Sequence, residues 1–134
     1  MIILACIDAA GGLGYRGRLP WHVSAELRYF KKRTMGHTLG VGSGTELPPL
    51  PGRTVVRLSR SSMPLASFEG IVIGGATIFE AALRLASSIE LSVLPDTYTC
   101  DCFFNMVTLD RLFVLTDTRR MDGFSVLTFT RRDV

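Results

Sequence analysis

The 134-residue sequence predicts a single α/β domain, a twisted and mostly parallel sheet flanked by helices, with an antiparallel C-terminal hairpin at one edge. Three observations carry that prediction. Short, nearly continuous apolar runs at 1–7, 38–41 and 71–73 read as strands buried on both faces. Segments 25–35 and 77–86 carry helical periodicity and alternate with those runs. Two further apolar stretches, 112–115 and 124–129, flank the turn-forming Arg119-Arg120-Met121-Asp122-Gly123. The length suits one domain of about 100–150 residues.

In chain order, Met1 to Ile7 (MIILACI) is the first strand, followed by a glycine-rich stretch with Gly11, Gly12, Gly14 and Gly17. Gly12-Leu13-Gly14-Tyr15-Arg16-Gly17 satisfies G-x-G-x-x-G, but a dinucleotide-binding turn needs a helix to start at once. Arg18-Leu19-Pro20-Trp21 follows instead, and the residue before a proline avoids helix. The stretch is therefore expected to be a mobile loop that closes over a ligand. Ser24 is expected to cap a helix from Ala25 to Met35 that Gly36 stops. Thr38 to Val41 is a strand ending in Gly42-Ser43-Gly44-Thr45, and a proline-rich loop, 47–52, leads to a strand at Thr54 to Leu58. Residues 60–70 are low in pattern. Ile71-Val72-Ile73 is a strand running through Gly74-Gly75 into a helix from Thr77 to Ala86. Ile89 to Leu94 is a strand, Pro95 to Asn105 a loop, and the hairpin closes the chain.

Composition removes several functional classes. Apolar residues are 47% and charged residues 20%, ordinary for a folded domain, and no run approaches the ~18 apolar residues of a membrane span. No secretory leader pattern is present, and Cys6, Cys100 and Cys102 cannot all pair within one chain, so free thiols in the cytoplasm are expected. His22 and His37 are the only histidines, and no metal site is expected. The net charge of +3 divides into +6 over residues 1–60 (nine Lys/Arg, three Asp/Glu) and −3 over 61–134 (six and nine). A small anionic ligand fits that balance as well as nucleic acid does.

Three constellations could carry chemistry. Glu26 shares a helix face with Phe30 and stands near Leu27 and Trp21, where desolvation would raise its pKa; alternatively it is a first-turn glutamate favoured by the helix dipole. Ile73-Gly74-Gly75-Ala76-Thr77 joins strand to helix, so the amides of Ala76, Thr77 and Ile78 could receive a phosphate, unless the turn is merely tight packing. Gly42-Ser43-Gly44-Thr45 is a similar cradle, and Arg53 and Arg60 are candidate anion clamps.

Taken together, these blocks resemble the dihydrofolate reductase family. The resemblance rests on Leu19-Pro20-Trp21-His22, Ala25 to Lys31, Thr34-Met35-Gly36-His37, Leu50-Pro51-Gly52-Arg53-Thr54, Leu58-Ser59-Arg60, Ile71 to Glu80, and Asp101-Cys102-Phe103-Phe104. It implies reduction of 7,8-dihydrofolate by NADPH, hydride transfer to C6 and protonation at N5 assisted by Glu26, with antifolates as inhibitors. Trp21 and Ser92 match groups linked to that acid, Trp21 through a water. Leu4, Ala5, Cys6, Leu19, Leu27, Phe30, Leu50, Ile73 and Phe79 match substrate-pocket positions. Arg53 matches the clamp on the substrate's glutamate carboxylate, braced by Thr34. Leu13, Gly14, Thr45, Ser59, Arg60, Gly74, Gly75, Ala76, Thr77 and Ile78 match cofactor positions, and the Gly74–Gly75 bond matches one that the family holds cis.

The sequence also departs from the family pattern. Ser43 stands where the family usually carries a cation, the segment between Thr45 and Leu50 is trimmed, and only residues 60–70 join two strands that the family separates by a helix and an extra strand. A reduced adenosine-binding lobe around 42–70 and weakened NADPH binding are expected. A non-catalytic or weakly active relative and a related pteridine or pyrimidine reductase remain alternatives; a nucleic-acid or membrane partner is not expected. The expected assembly is a monomer or small homo-oligomer.

Overall fold

A computed structural model of the chain describes residues 1–59 and 64–132, so the expectation placed on Arg60 lies outside the described residues. The elements are β1 (Ile2–Ile7), β2 (Gly12–Gly14), α1 (Ser24–Thr34), β3 (Thr38–Gly42), β4 (Thr54–Leu58), β5 (Ile71–Gly74), α2 (Ala76–Ala82), β6 (Ser88–Val93), β7 (Cys102–Phe103), α3 (Met106–Leu112), β8 (Phe113–Arg120) and β9 (Ser125–Arg131). A short 3₁₀ turn, Leu65–Ser67, stands between β4 and β5.

Seven strands form one sheet in the order β4-β3-β5-β1-β6-β9-β8, parallel from β4 to β6 and antiparallel across β6-β9-β8. This is the predicted mostly parallel sheet with an antiparallel C-terminal edge. The apolar runs became β1, β3 and β5 because parallel strands are covered on both faces. Alternation along β1 then divides the core. Ile3, Ala5 and Ile7 join the main cluster with Val72, Ile89, Leu91 and Phe79. Leu4 packs with Leu39 and Ile71 on the other face, against Tyr29 of α1, while Cys6 packs beside Leu94, Phe124 and Val126. At Gly40 a Cβ would come within 2.9 Å of both Leu58 and Phe68, so the absence of a side chain lets those groups close on β3.

Four local expectations are corrected. Ser24 is the first helical residue and not the cap: Val23 holds the cap position in extended conformation, and its carbonyl accepts from Leu27 N at 3.1 Å. The second helix ends at Ala82, not Ala86, with Leu83–Leu85 in turn conformation. The 95–105 loop contains β7, which pairs with β2. Finally, α3 begins after Asn105, whose side chain accepts from Thr108 N at 3.0 Å as an N-cap.

The glycine-rich stretch is not an open loop here. β2 bonds to β7, and Tyr15 and Arg18 exchange backbone hydrogen bonds of 2.8 and 3.0 Å around Arg16 and Gly17. Both central residues have positive φ, 49° and 76°, the geometry of a two-residue hairpin turn. Arg16 N also donates to Asp101 Oδ2 at 2.9 Å.

Candidate active site

Sheet register assembles the first group. Cys6 on β1 is paired with Ser92 on β6, and both alternate away from the main core toward α1. Glu26, in the first turn of α1, comes down on this pair. Burial raises its carboxyl above the ordinary 4.5, while the Ser92 hydroxyl pulls in the opposite direction and loses. The Cys6 thiol is pushed far up, first by burial and then by the nearby charges of Glu26 and Asp8. Ser92 Oγ is buried and faces the Glu26 carboxyl without a hydrogen bond of full geometry among the described residues.

The cluster that Cys6 packs on is rich in aromatic rings. The Trp21 ring lies 5.4 Å from that of Tyr98, tilted by 59°. Trp21 and Tyr29 both pack on the Leu94, Phe124 and Val126 cluster, and Tyr29 also meets the Phe124 ring at 5.9 Å. Tyr29 had been given no role from the sequence; its hydroxyl is buried without a hydrogen-bond partner among the described residues, one helical turn from Glu26. Beyond it, Arg33 Nε donates to Glu90 Oε2 at 2.7 Å, fastening α1 to β6.

Leu50 and Ile73 pack on Leu4, Leu39 and Ile71, next to the same helix. Leu19 and Leu27 are exposed, at 57% and 45%. Phe79 lies within the main core against the Phe104 ring, at 5.7 Å. Arg53 bends back over the end of α1: its Nη1 donates to Thr34 Oγ1 at 3.4 Å and its Nε to Pro51 O at 3.1 Å. Thr34 is fully buried and in turn donates to Phe30 O at 2.7 Å, so the arginine rests on a fixed hydroxyl.

A second feature lies at the carboxyl ends of β3, β4 and β5. A groove of about 760 Å³ runs between the Gly42–Thr45 turn and the corner where β5 enters α2. Thr45, Ser59, Gly75, Ala76, Thr77 and Ile78 line it, together with Gly42, Ser43 and Gly44. Leu58, Leu65 and Ala81 also line it and carried no sequence signal beyond their apolar character. The Gly74–Gly75 peptide bond at the corner is cis. A Cβ at Gly75 would stand 3.4 Å from Thr45 Oγ1, and one at Gly42 3.0 Å from Ile78, so side chains at either glycine would fill the cradle. Carboxyl ends of parallel strands are where open α/β sheets receive ligands. Leu13 and Gly14 do not line it: Leu13 packs on the main core, and Gly14 O accepts from Asp101 N at 2.9 Å. Among the described residues no group of three or more potential ligands could hold a metal, and no helix is long and apolar enough to cross a membrane.

Comparison with known proteins follows the same outline. The sequence model of the dihydrofolate reductase family matches residues 1–68. A dihydrofolate reductase of Ureaplasma parvum is 27% identical over 135 residues, spanning 81% of this chain and 86% of its own. The dihydrofolate reductase HdrB of Haloferax volcanii is also 27% identical, across 98% of this chain and 83% of its own. In three dimensions, the dihydrofolate reductase of Enterococcus faecalis, solved with NADP(H) and RAB-propyl, superposes with a TM-score of 0.81 over 98% of this chain and 96% of its own, at 22% identity. An acid at the head of α1, a glycine corner after the central strand and an antiparallel edge thus sit on a fold and a sequence pattern with one common owner, and the chain belongs to the dihydrofolate reductase family.

Proposed function

We propose that the chain reduces 7,8-dihydrofolate to 5,6,7,8-tetrahydrofolate with NADPH, and that Glu26 is the acid serving the pterin. The observation that carries this reading is the Glu26 carboxyl itself, desolvated beside Ser92 and Cys6 at the start of α1. When bound, the reduced nicotinamide supplies the hydride that adds to C6. The chain's own groups do the rest. Glu26 accepts hydrogen bonds from the 2-amino group and N3 of the pterin, which orients the ring. Burial raises the Glu26 pKa, which makes the carboxyl a better-matched acid for helping a proton reach N5. The Trp21, Tyr98 and Phe124 walls limit water around the carboxyl. The Gly42–Thr45 turn, Ser59 and the Gly75–Ile78 corner receive the phosphates of the dinucleotide, a use supported by the NADP(H) bound to the Enterococcus faecalis enzyme. The reading further assigns a cytoplasmic monomer or small homo-oligomer with no nucleic-acid or membrane partner.

Following absorbance at 340 nm with dihydrofolate and NADPH tests this directly. Signal loss that an antifolate blocks supports it; no loss with either substrate in excess overturns it. Between β4 and β5 the described residues form only the 3₁₀ turn at Leu65–Ser67, which supports a small adenosine lobe. NADPH should therefore bind the monomer with a dissociation constant above about 1 μM, some 8 kcal/mol of binding free energy. A tighter value from titration calorimetry contradicts this. Arg53→Ala should raise the dihydrofolate KM by roughly 10- to 100-fold with kcat nearly unchanged, since a remote guanidinium–carboxylate pair adds uniform binding. An unchanged KM would remove Arg53 from the substrate site.

A further inference from the structure

Among the described residues the groove's lining carries no charged side chain, although the ligand assigned to it above is a polyanion. A phosphate brought out of water needs countercharge or aimed donors. Arg57 answers this from behind. It stands on β4 opposite Val41 of β3, between Val56 and Leu58, which both turn toward the main core. Alternation therefore sends its side chain to the other face of the sheet. The side chain doubles back over the end of β3, where Nη1 donates to Gly42 O at 3.3 Å and also to Thr45 O. Gly42 O accepts from Thr45 N as well, at 3.1 Å. One guanidinium nitrogen thus grips the carbonyls at both ends of the four-residue turn that forms one wall of the groove.

Two consequences follow from that grip. The carbonyls of Gly42 and Thr45 are engaged by Arg57, while the Gly44 amide, beyond the end of the β3–β4 ladder, makes no backbone hydrogen bond among the described residues. A free amide in a turn can donate to an anion. Moreover, among the described residues no carboxylate pairs with Arg57, so its charge is not neutralised beside the groove. We propose that Arg57 is a positioning residue of the phosphate cradle. It clamps the Gly42–Thr45 turn from its outer side, leaves the Gly44 amide for a phosphate, and lends the positive charge that Ser43 does not supply. The inference rests on the reading of this groove as a dinucleotide site.

Titration calorimetry of the parent, Arg57→Leu and Arg57→Lys with NADPH, and separately with inorganic pyrophosphate, tests it alongside steady-state kinetics. Arg57→Leu should weaken NADPH binding at least tenfold and raise the NADPH KM in step, with kcat at saturating cofactor within twofold and dihydrofolate affinity unchanged. Arg57→Lys should recover part of the loss, keeping the charge without the fork. The gap between parent and Arg57→Leu should narrow at high salt. NADPH affinity within twofold of the parent overturns the inference, and so does an equal fall in dihydrofolate affinity and kcat, which marks a merely structural role. If the parent binds pyrophosphate in an Arg57-dependent way but not NADPH, the dinucleotide reading fails and the role of Arg57 stands. If the parent binds NADPH and Arg57→Leu binds it equally, the reverse holds. Binding of neither probe by the parent overturns both.

Discussion

Glu26→Gln is expected to lower kcat at neutral pH by about 10²- to 10³-fold, the usual worth of a positioned proton donor, while the protein remains folded. Glutamine keeps the shape and can still hydrogen-bond, but it has no proton to give. The remaining rate should rise toward acid, where solvent can supply the proton. In the parent, kcat should fall as pH rises through the elevated Glu26 pKa. Stability should fall with rising pH in the same sense. Burial lifts the folded-state pKa above its unfolded value near 4.5, so the folded chain binds the proton more tightly. Ionising Glu26 therefore weakens the fold as pH climbs from that unfolded value through the folded one. Glu26→Gln escapes this cost and should be at least as stable as the parent at pH 7 by chemical denaturation. Turnover equal to the parent's would remove Glu26 from the chemistry; lost turnover with a lower denaturation midpoint would leave it a structural residue.

That acid was legible in the sequence because its signals are local: a glutamate in the first turn, with Trp21 and Phe30 at short range. The buried strands were legible for the same reason, since a parallel strand covered on both faces has to read as an apolar run. What surrounds Glu26 was legible only through resemblance to a family. Nothing near Cys6 says that Ser92 will lie beside it, because the β1–β6 pairing joins segments more than eighty positions apart and leaves no local pattern. Tyr29 reads as an ordinary helix residue until its hydroxyl is found sealed without a hydrogen-bond partner among the described residues. The short elements failed for lack of length. β7 is two residues, and α3 buries only Leu109, so neither develops a periodicity. Asn105 was the one available clue to α3, as an N-cap. Arg57 was visible only as one of nine cations in the first sixty residues; its turn back onto Gly42 and Thr45 is a property of the β3–β4 register.

The largest stability loss should come from a residue that drew no attention in the sequence. Asp8 follows β1 directly, is 1% exposed, and ties together two separate stretches of chain, 10–12 and 98–100. Its Oδ1 accepts from Ala10 N at 2.9 Å and Gly12 N at 2.8 Å; its Oδ2 accepts from Tyr98 N at 2.9 Å and from the Cys100 thiol at 3.7 Å. Burial alone would raise this carboxyl, but the hydrogen bonds outweigh it and hold the pKa below 3.8. Asp8→Ala strands three amides at roughly 1 kcal/mol or more each, so about 3 kcal/mol of stability and about 10 °C in Tm should be lost. Asp8→Asn should recover little, because its NH₂ meets N–H donors on whichever side it points. Acid should erase the difference. A carboxyl with a lowered folded-state pKa contributes its full stabilisation above the unfolded value of 3.8 and loses it as pH falls through the folded value. The parent and Asp8→Asn should therefore converge in strong acid. Equal denaturation midpoints for parent and Asp8→Ala at pH 7 would refute this role. The loss should also reach the active site, since Asp8 fixes the backbone of Tyr98, whose ring supports Trp21. Trp21 is the only tryptophan, so its emission should shift in Asp8→Ala under native conditions, before any unfolding, and report directly how far this knot holds the wall beside Glu26.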